Sequence, residues 1–583
     1  MTQSYSKHNI KKVFLDLLPA QIFSNLTSSL SGIVNGIVIG KYLTSIDMVA
    51  LGFATPITML NGIVAMIISS GARIVCGEYI GRGEKKKIDE TFSISIICLL
   101  VFGVLMTIIG LTCAPLIVKL VGASENSIPA AANYIRGISI GVLPTIIAPC
   151  LMVFLQMEND SNYALVSTIV LAIVNYALGM LAMKYLNLGI FGVGLMTSIS
   201  QYIVLFILWI RFRTKDNLPR FRHIHKFGIG KEIIIVGLPT AFANLLYNLR
   251  NTVLNVQALN IYGEKAVQAL SILGSSAGPY DAINIGVGST ILMLLSVYIG
   301  EKDREAIKQL ARVSISIGLI LGAAKVAVVL LFIDKLIPLY TSDLEVFQLT
   351  KDLYIQYSFS APLNMITMVF SNSYQALKRI TYTNIVMAFN AFVFPIGYVL
   401  ATKGLLGINA IWTCYWTAEV AVLALMYIVA CKHKHGIVHG VGDMLHLEDS
   451  IELETSKTIS IKTIEDVVNV SRDIELFCVE NNINKKKAMI AGLCCEEMAT
   501  NIIEHGFTKC KNPNSKVIDI YVGITGDTVN MRIKDNAVAF DPHIKLQNND
   551  DLTSNIGIKM VSKLAKQMNY QNTFGLNVLA ITL

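Results

Sequence analysis

Charged residues are scarce in this sequence. Asp, Glu, Lys and Arg make up 15% of its 583 residues, whereas 53% are hydrophobic. A soluble helical protein needs polar helix faces, and long segments such as 94–109, 166–183 and 387–401 lack them. With their apolar flanks, these segments approach the roughly 20 residues needed to cross a bilayer. The composition therefore excludes a purely soluble chain and predicts an integral membrane protein.

Several signals of other protein classes are also missing. There is no G-x-x-x-x-G-K-S/T loop, which argues against an ATP-driven pump. No segment resembles a selectivity filter, which argues against a channel. The ten cysteines have neither metal-ligand spacing nor a disulfide framework, so we expect reduced thiols that fill space. The N-terminus MTQSYSKHNIKK lacks the apolar core and cleavage site of a signal peptide, so the first helix is expected to be an uncleaved anchor.

The apolar segments predict an all-α polytopic membrane part of twelve helices. They lie near 14–40, 50–80, 92–118, 133–156, 163–184, 189–211, 233–261, 268–299, 313–338, 353–377, 382–402 and 407–431. Basic residues gather at the N-terminus, in alternate loops and after the twelfth helix, which accounts for the net charge of +8 without any nucleic-acid partner. By the positive-inside rule these segments are cytoplasmic. We expect a multi-pass protein of the cell inner (plasma) membrane with both termini in the cytoplasm.

The membrane part contains an internal repeat at an offset of about 220 residues. Tyr79-Ile80-Gly81 matches Tyr298-Ile299-Gly300, and Pro19 matches Pro239. An even number of helices per repeat gives the two halves, residues 1–225 and 226–435, the same orientation in the membrane. Parallel halves of this kind enclose a central cavity and rock between inward-open and outward-open states.

Two stretches of the first half are distinctive, the opening "LLPAQIFSNL … IVIGKYL" and "GARIVCGEYIGRGEKKK" after the second helix. With these stretches and the two six-helix repeats, residues 10–432 resemble MATE (multidrug and toxic compound extrusion) transporters. The resemblance implies a V-shaped pair of helix bundles that exports small organic, often cationic, compounds in exchange for H⁺ or Na⁺. Flippases of lipid-linked sugars are distant relatives of this family, so a lipid-linked substrate remains an alternative.

Three positions depart from the family pattern. Asn35, Gly179 and Tyr247 stand where relatives carry Asp or Glu. Intramembrane carboxylates are how such proteins hold coupling cations, because an ion at the membrane midplane needs a negative, dehydrated cage. These replacements argue against ordinary proton or sodium coupling, and they leave the coupling ion, H⁺ or Na⁺, undetermined.

Other polar residues within the predicted spans are candidates for substrate binding or coupling. A charge in a spanning helix costs a few kcal/mol or more, so it should face a cavity or a partner. We expect Arg250 and Asp281 to pair with each other, either as a static link or as a functional group, and Glu419 is a further buried acid. The candidate residues for substrate or coupling are Asn35, Asn175, Asn255, Arg250 and Asp281.

After about residue 445 the charge density becomes that of a soluble domain. Residues 436–456 are predicted to form a linker and residues 457–583 an α+β sandwich with its helices on one sheet face. The pattern predicts a strand in "KTISIKT", two helices, and a hairpin "KVIDIYVGITGDTVNMRIKD" with a Gly-Asp turn. A helix over 555–570 and a closing strand "NVLAITL" complete the domain.

The stretch "EEMATNIIEHGF" places Glu497 and Asn501 four residues apart, on one stripe of a helix. The side-chain carbonyl of Asn501 is a hard oxygen ligand suited to Mg²⁺ between phosphates. Glu497 can act as a general base toward a water or a hydroxyl. Two further boxes follow, "DNAVAFDP" at 535–542 and "NIG" at 555–557.

This order of boxes resembles the GHKL ATP-binding fold, most closely the anti-sigma-factor serine kinases. The resemblance implies that Asp535 accepts from the adenine amino group and that amides around Gly557 receive phosphate at a helix start. Ala537 and Asn555 would also line this site, although the family usually has Gly at these two positions. The expected cofactors are ATP and Mg²⁺, with Asn501 as the metal ligand.

Two classes of function follow. In the first, a secondary active transporter of the MATE type carries a cytoplasmic ATP-binding regulatory domain. In the second, the tail is a serine/threonine kinase of the anti-sigma-factor type that acts on a separate protein partner, and the membrane half is its sensor. Transport by a chain truncated after residue 435 would favour the first, and phosphorylation of a partner would favour the second.

Overall fold

The computed structural model describes residues 10–26, 45–123, 125–158, 160–186, 188–214, 219–222, 228–447, 455–507, 516–538, 540–542 and 556–583. A helical part extends to residue 434 and a small α+β domain begins at residue 455. Nine helices in these ranges are long and apolar enough to cross a bilayer, or ten if one bent pair counts as a single span. The prediction of an all-α polytopic part followed by an α+β domain is confirmed.

The helices of the first half are α1 (residues 10–26), α2 (Ser45–Arg82), α3 (Lys85–Thr112), α4 (Ala114–Leu120), α5 (Ile128–Ser139), α6 (Val142–Met157), α7 (Ser161–Lys184) and α8 (Gly189–Thr214). Those of the second half are α9 (Gly228–Tyr262), α10 (Glu264–Ser276), α11 (Gly278–Gly300), α12 (Arg304–Leu336), α13 (Leu344–Ala376), α14 (Ile380–Ala388), α15 (Phe394–Leu406) and α16 (Asn409–Lys434). The bent pair is α5 and α6, with a 44° angle between them. Helix α13 occupies the position predicted for the tenth span. Helix α1 covers the first part of the predicted first span, 14–40, and residues 27–40 of that span lie outside the described ranges.

Four predicted helices are interrupted. The third, over 92–118, is divided at Cys113 into α3 and α4, and the fourth, over 133–156, is divided into α5 and α6. The predicted eighth helix is divided into α10 and α11, and Pro279 lies in the first turn of α11. Proline suits a helix start because it has no amide proton to donate and its φ angle is already helical. The predicted eleventh helix contains a π-helical turn at Phe389–Val393, just before Pro395 of α15. Such turns re-register one helix face relative to the next.

The two halves meet where α2 crosses α9 and α11. A Cβ atom on Gly81 would lie 2.1 Å from the Val297 oxygen, and one on Gly300 would lie 2.1 Å from the Glu78 oxygen. Backbones this close leave room only for glycine. Gly81 and Gly300 are the third residues of the repeated Tyr-Ile-Gly motif, so the repeat marks a contact between the halves. This crossing lies at the ends of α2 and α11 that face the α+β domain.

The α+β domain has one antiparallel sheet. Its strands are β1 (Thr455–Ile461), β2 (Ile518–Thr525), β3 (Thr528–Asp535), β4 (Gln567–Thr573) and β5 (Leu576–Thr582), in the spatial order β1-β2-β3-β5-β4. The helices are α18 (Ile464–Glu480), α19 (Lys485–Asn501) and α20 (Ile556–Leu564), and a short α17 (Val441–Met444) precedes them in the chain. Alternate strand residues such as Ile520, Met531 and Leu579 form one core with the helices. The predicted helix over 555–570 was wrong at its end, because α20 ends at Leu564 and β4 follows.

The predicted linker is anchored at its start. The Tyr374 hydroxyl donates to the Met444 carbonyl at 2.7 Å, and an Arg379 guanidinium nitrogen donates to the His446 carbonyl at 2.9 Å. Residues 448–454 of the predicted linker lie outside the described ranges. The segment after α16 is therefore fixed to the end of α13 as far as His446.

Candidate functional site

A cavity of about 970 Å³ lies between the two halves of the helical part. Helices of both halves contribute to its wall, including α2, α6, α9, α11, α13 and α16. Its lining combines apolar side chains with amides, hydroxyls and tyrosines, among them Gln21, Asn61, Gln156, Asn244, Tyr280 and Asn364. A mostly apolar cavity with a few placed polar groups is typical of a small-molecule site.

A chain of hydrogen bonds crosses the second half at the cavity wall. Lys325 Nζ donates to Asn284 Oδ1 at 2.6 Å, and Asn284 Nδ2 donates to Asn364 Oδ1 at 2.8 Å. Asn364 Nδ2 then donates to Glu419 Oε1 at 2.7 Å, while the Thr367 hydroxyl donates to Glu419 Oε2 at 2.7 Å. Both carboxylate oxygens of Glu419 therefore have a donor. Lys325 is a lone charge in an apolar stretch of α12 and was not among the predicted site residues.

The predicted ion pair between Arg250 and Asp281 was wrong. Asp281 Oδ1 accepts from the Tyr357 hydroxyl at 2.7 Å. The Arg250 guanidinium lies 5.0 Å from the ring centroid of Tyr247 and 5.1 Å from that of Tyr415. Among the residues that the structure describes, no acid comes within 4 Å of Arg250. Tyrosine faces attract the planar guanidinium and hold it away from Asp281.

The other predicted membrane residues lie in different places. Arg250 and Asp281 line the cavity, but Asn175 in α7 and Asn255 in α9 are not part of its lining. Asn35 lies outside the described residues. Tyr247, which stands where some relatives have Glu, donates from its hydroxyl to Asn390 Oδ1 at 2.9 Å. It thereby links α9 to the π-helical turn at Phe389–Val393.

Polar contacts close the cavity on the side of the α+β domain. Gln21 donates to Gln156 at 2.8 Å within the first half. Across the halves, Ser70 lies 3.0 Å from Thr240, oxygen to oxygen, and Lys378 forms an ion pair with Glu78. These contacts lie near the glycine crossing of α2 with α9 and α11. The cavity is therefore separated from that side by a layer of packed and paired side chains.

A second site is assembled in the α+β domain at the end of α19. Asn501 Nδ2 donates to the Glu497 carbonyl at 2.8 Å, which leaves its side-chain oxygen as the atom that could ligate a metal ion. Gly557, at the start of α20, packs against Glu497, and a Cβ there would lie 2.0 Å from Glu497 Oε2. Gly557 is thus brought to Glu497, which lies 60 residues earlier in the sequence, and to the helix end that carries Asn501.

Asp535 ends β3 beside this helix and is 4% exposed. Its Oδ1 accepts from the Ala537 amide at 2.8 Å and from Asn577 Nδ2 at 2.7 Å. Burial raises the pKa of Asp535 to about 6, against the lowering effect of these two donors. The Tyr570 hydroxyl donates to Asn577 Oδ1 at 2.7 Å and so orients that amide. Sequence reasoning missed Asn577 and Tyr570, because only the pairing of β3 with β5 and of β5 with β4 brings them to Asp535.

The remaining predicted pocket residues are Ala537 and Asn555. A Cβ on Gly506, just after α19, would lie 3.0 Å from the Ala537 Cβ, so the Asp535 loop touches the end of the helix that carries Asn501. Asn555 lies outside the described residues. The arrangement joins a helix with an acid and an amide, a loop with a buried acid, and a helix start. This combination suits a nucleotide whose nucleobase would lie at Asp535 and whose phosphates would lie near Asn501 and Gly557.

Two protein families match this chain. The MatE family matches residues 20–181 and 239–402, one stretch in each half and together more than half of the chain. The chain belongs to the MatE family. The histidine kinase-like ATPase domain family matches residues 462–583, the whole of the α+β domain after β1. The chain is thus a MatE-family protein with a C-terminal ATPase-like domain, as the resemblances had indicated.

Curated relatives and solved structures cover the MatE part. The probable multidrug resistance protein YoeA of Bacillus subtilis is 23% identical over 443 residues, 73% of this chain and 95% of that protein. The probable multidrug resistance protein NorM of Streptococcus pneumoniae is 24% identical over 377 residues, 60% of this chain and 80% of its own length. A multidrug resistance MATE family transporter solved in an outward-facing conformation has a TM-score of 0.68 at 20% identity, over 73% of this chain and 97% of that one.

The ATPase-like domain contacts both halves of the MatE part. Lys534 of β3 forms an ion pair with Glu301, just after α11, and Arg532 donates to the Glu301 carbonyl. Glu301 is 2% exposed, and Lys534 Nζ lies 4.9 Å from the ring centroid of Tyr298. On the first half, Gln571 Nε2 of β4 donates to the Ile80 carbonyl of α2 at 2.8 Å. The sheet face opposite α18 and α19 is therefore seated on the closed side of the cavity.

Proposed function

We propose that this chain is a secondary active exporter of small organic molecules whose C-terminal domain binds Mg-ATP and regulates transport. In this proposal the halves alternate between two arrangements, exposing the cavity to one side of the membrane at a time. The positive-inside rule supports a cytoplasmic position for the ATPase-like domain, where ATP is present. The domain then docks on the cytoplasmic side of a transporter that is closed there.

The observation that carries the proposal is the contact of one domain with both halves. Lys534 holds the second half through Glu301, and Gln571 holds the first half through Ile80. Rocking of the halves toward an inward-open state separates Ile80 from Glu301, so at least one of these contacts must break. A ligand changes a conformational equilibrium only when it binds the two states differently. A nucleotide that alters the docked sheet would meet that condition.

The nucleotide pocket supports the regulatory half of the proposal. Asn501 would ligate Mg²⁺ through its side-chain oxygen, Asp535 would accept from the adenine amino group, and Gly557 would admit phosphate to the start of α20. ATP supplies a large negative charge there, compensated by the metal ion. Glu497 is close enough to the helix start to act on a water or a hydroxyl at the terminal phosphate. Regulation requires binding, and turnover of ATP would be an additional property.

The test is transport by the full-length protein reconstituted in proteoliposomes. Proton, sodium and ATP conditions are imposed separately, and a chain truncated after residue 435 is compared. We expect export in both chains and an ATP response only in the full-length one. Asn501→Ala should abolish the ATP response and lower Mg-ATP affinity at least tenfold, with affinity measured by calorimetry. Export that stops on truncation, or an Asn501→Ala variant with unchanged affinity and response, would contradict the proposal.

The kinase alternative has one supporting feature, the position of Glu497 at the pocket. It predicts phosphorylation of a serine or threonine on a separate protein, lost in Glu497→Gln while Mg-ATP affinity stays within about threefold of the unaltered chain. In the regulatory proposal, Glu497→Gln leaves the ATP response of transport in place. The same variant therefore separates the two functions.

A further inference from the structure

The charged side chains on the cavity wall differ in how far the protein already occupies their hydrogen-bonding positions. Of the charged residues that the structure places in the lining, two are basic, Arg73 and Arg250, and two are acidic, Asp281 and Glu419. Arg73 comes from α2 in the first half and Arg250 from α9 in the second. The count is balanced, so the partners of each group decide the character of the cavity.

The two acids are already bound by the protein. Asp281 accepts from the Tyr357 hydroxyl, and Glu419 accepts from Asn364 on one oxygen and Thr367 on the other. A carboxylate held by neutral donors keeps its charge but has fewer positions for a ligand. Lys325 is 4% exposed behind this wall, and its Nζ donates to Asn284 Oδ1 and lies 3.6 Å from the ring centroid of Tyr280. Its amino group is therefore held within the protein and does not line the cavity.

Neither arginine has an acidic partner among the described residues. Arg250 donates from Nε and from one terminal nitrogen, at 3.4 and 3.3 Å, to the neutral side-chain oxygen of the adjacent Asn251. Arg73 Nε is buried without a hydrogen-bond partner, and within the described ranges no acid lies within 4 Å of either guanidinium. The undescribed residues 27–44 of the first half contain no Asp or Glu, so that segment cannot supply a counter-charge. Arginine stays protonated in proteins. A buried guanidinium without a counter-ion is unfavourable in a membrane protein unless an anion or water meets it.

We propose that the cavity binds an amphiphilic organic anion. Its carboxylate, sulfonate or phosphate group would meet Arg250 and Arg73, and its apolar or aromatic body would lie against Tyr247, Tyr415 and the aliphatic lining. This inference names the substrate class of the proposed exporter and so rests on that function. It also reverses the sequence-based expectation that the substrates are often cationic. A lipid with an anionic headgroup and a water-soluble organic anion share this chemistry.

The test compares two dyes with the same xanthene core, anionic fluorescein and cationic rhodamine 123. Their binding to the full-length protein in phosphatidylcholine nanodiscs is measured by fluorescence anisotropy. We expect fluorescein to bind at least tenfold more tightly than rhodamine 123. Arg250→Gln and Arg73→Gln should each weaken fluorescein binding at least tenfold. Arg136→Gln, which removes an arginine from α5 outside the cavity lining, is the matched control and should change it less than twofold.

Folding is controlled by a conservative variant and by thermal melting of each protein. Arg250→Lys keeps the charge and should retain fluorescein affinity within about threefold. If Arg250→Lys and Arg250→Gln lose the same amount of fluorescein affinity, packing against the tyrosines decides binding and charge does not. That result would overturn the proposal. Tighter binding of rhodamine 123, with no effect of either arginine variant, would also overturn it.

The source of the anion is separated by adding phosphatidylglycerol to the nanodiscs. Competition that weakens fluorescein binding at least tenfold, and that disappears in Arg250→Gln, assigns the site to an anionic lipid headgroup. Unchanged fluorescein binding assigns it to a soluble anion. Export of the dyes from proteoliposomes is scored separately. Arginine-dependent binding of fluorescein without export would support this inference and refute the transport function. Export of rhodamine 123 alone would support the transport function and overturn this inference.

Discussion

At the scale of single residues, Asp535 is held in one position by hydrogen bonds from the ATPase-like domain itself. Its carboxylate is buried, and one oxygen already holds two donors, the Ala537 amide and Asn577. Asn577 is itself oriented by Tyr570, whose pKa is raised to about 12 by burial, so this hydroxyl stays protonated and able to donate. Asp535, the proposed acceptor for an adenine amino group, is therefore fixed in place by neighbours on β4 and β5.

If Asp535 has the proposed role, its raised pKa predicts that nucleotide binding depends on pH. Burial places this pKa at about 6 in the free protein. The ionised form is the better acceptor for an amino group, and its population falls as pH drops through 6. We expect Mg-ATP affinity of the full-length protein to be level from pH 7 to 8 and to fall toward tenfold per pH unit below 6. Calorimetry across this range measures the effect.

Asp535→Asn tests whether Asp535 causes the pH dependence of Mg-ATP affinity, because it keeps the side-chain shape and removes the titrating group. It should lower affinity at pH 7.5 about tenfold, since a hydrogen bond to a charged group contributes roughly 1.5–3 kcal/mol. It should also remove the fall in affinity around pH 6. A variant with the same pH profile as the unaltered protein would assign the titration to another group.

At the scale of elements, one face of the sheet of the ATPase-like domain packs against helices and the other face contacts the MatE part. Met531 and Ile533 of β3 pack in the core with α18 and α19, whereas Arg532 and Lys534 point toward the MatE part. Successive side chains on a strand point to opposite faces, so Asp535 and Lys534 serve the nucleotide pocket and the docking contact from adjacent positions. In the proposed regulation, β3 is the strand that connects the nucleotide pocket to the MatE part.

Lys534→Gln tests this element. Loss of the ion pair leaves Glu301 buried without its counter-charge, so the docked state should be weakened. We expect faster deuterium exchange in β3 and at the end of α11, and a loss of the ATP response of transport. Mg-ATP affinity should stay within about threefold. Lys457→Gln removes a lysine from β1 that pairs with Asp473 within the domain, and it should leave both readouts unchanged. Retained regulation in Lys534→Gln would separate docking from control.

The elements that sequence could predict are those with a strong local pattern. The membrane helices follow from long apolar runs, and the hairpin of β2 and β3 follows from alternation around a Gly-Asp turn. Strand β4 reads "QMNYQNT", which has no apolar alternation, and it is a strand only because β5 pairs with it. For the same reason the motif located Glu497, Asn501 and Asp535 but not Asn577. The expected Arg250–Asp281 pair was wrong because Arg250 packs against Tyr247 of its own helix and Tyr415 of α16, while Tyr357 of α13 donates to Asp281, and the contacts with α13 and α16 depend on the tertiary fold.

At the scale of the whole molecule, the repeated Tyr-Ile-Gly motif forms the closure between the halves. Gly300→Ala would place a methyl group 2.1 Å from a backbone oxygen of α2, which cannot move without displacing the helix. We expect this variant to favour separation of the halves on the side of the ATPase-like domain and to reduce transport at least tenfold. Gly404→Ala in α15, where a Cβ meets nothing within 4 Å, is the control and should transport normally.

The separation can be read from Ser296, which is 1% exposed and faces Gly77 across the contact of α2 with α11. Ser296→Cys should react slowly with a maleimide in the otherwise unaltered chain, and at least tenfold faster when Gly300→Ala is added. Chains with serine at 296 give the background from the native cysteines. Equal labelling rates with and without Gly300→Ala would show that the glycine crossing does not hold the halves together.

The covalent connection between the two parts sets how strong their docking needs to be. The chain is anchored as far as His446, and β1 begins at Thr455, so eight residues lie between these points and span at most about 3.5 Å each. A tether this short gives the domain an effective concentration in the millimolar range at its docking surface. Contacts as weak as a millimolar Kd would then keep it seated about half of the time. A regulator held in this way can release and return within one transport cycle, and its occupancy does not depend on how many copies of the protein the membrane contains.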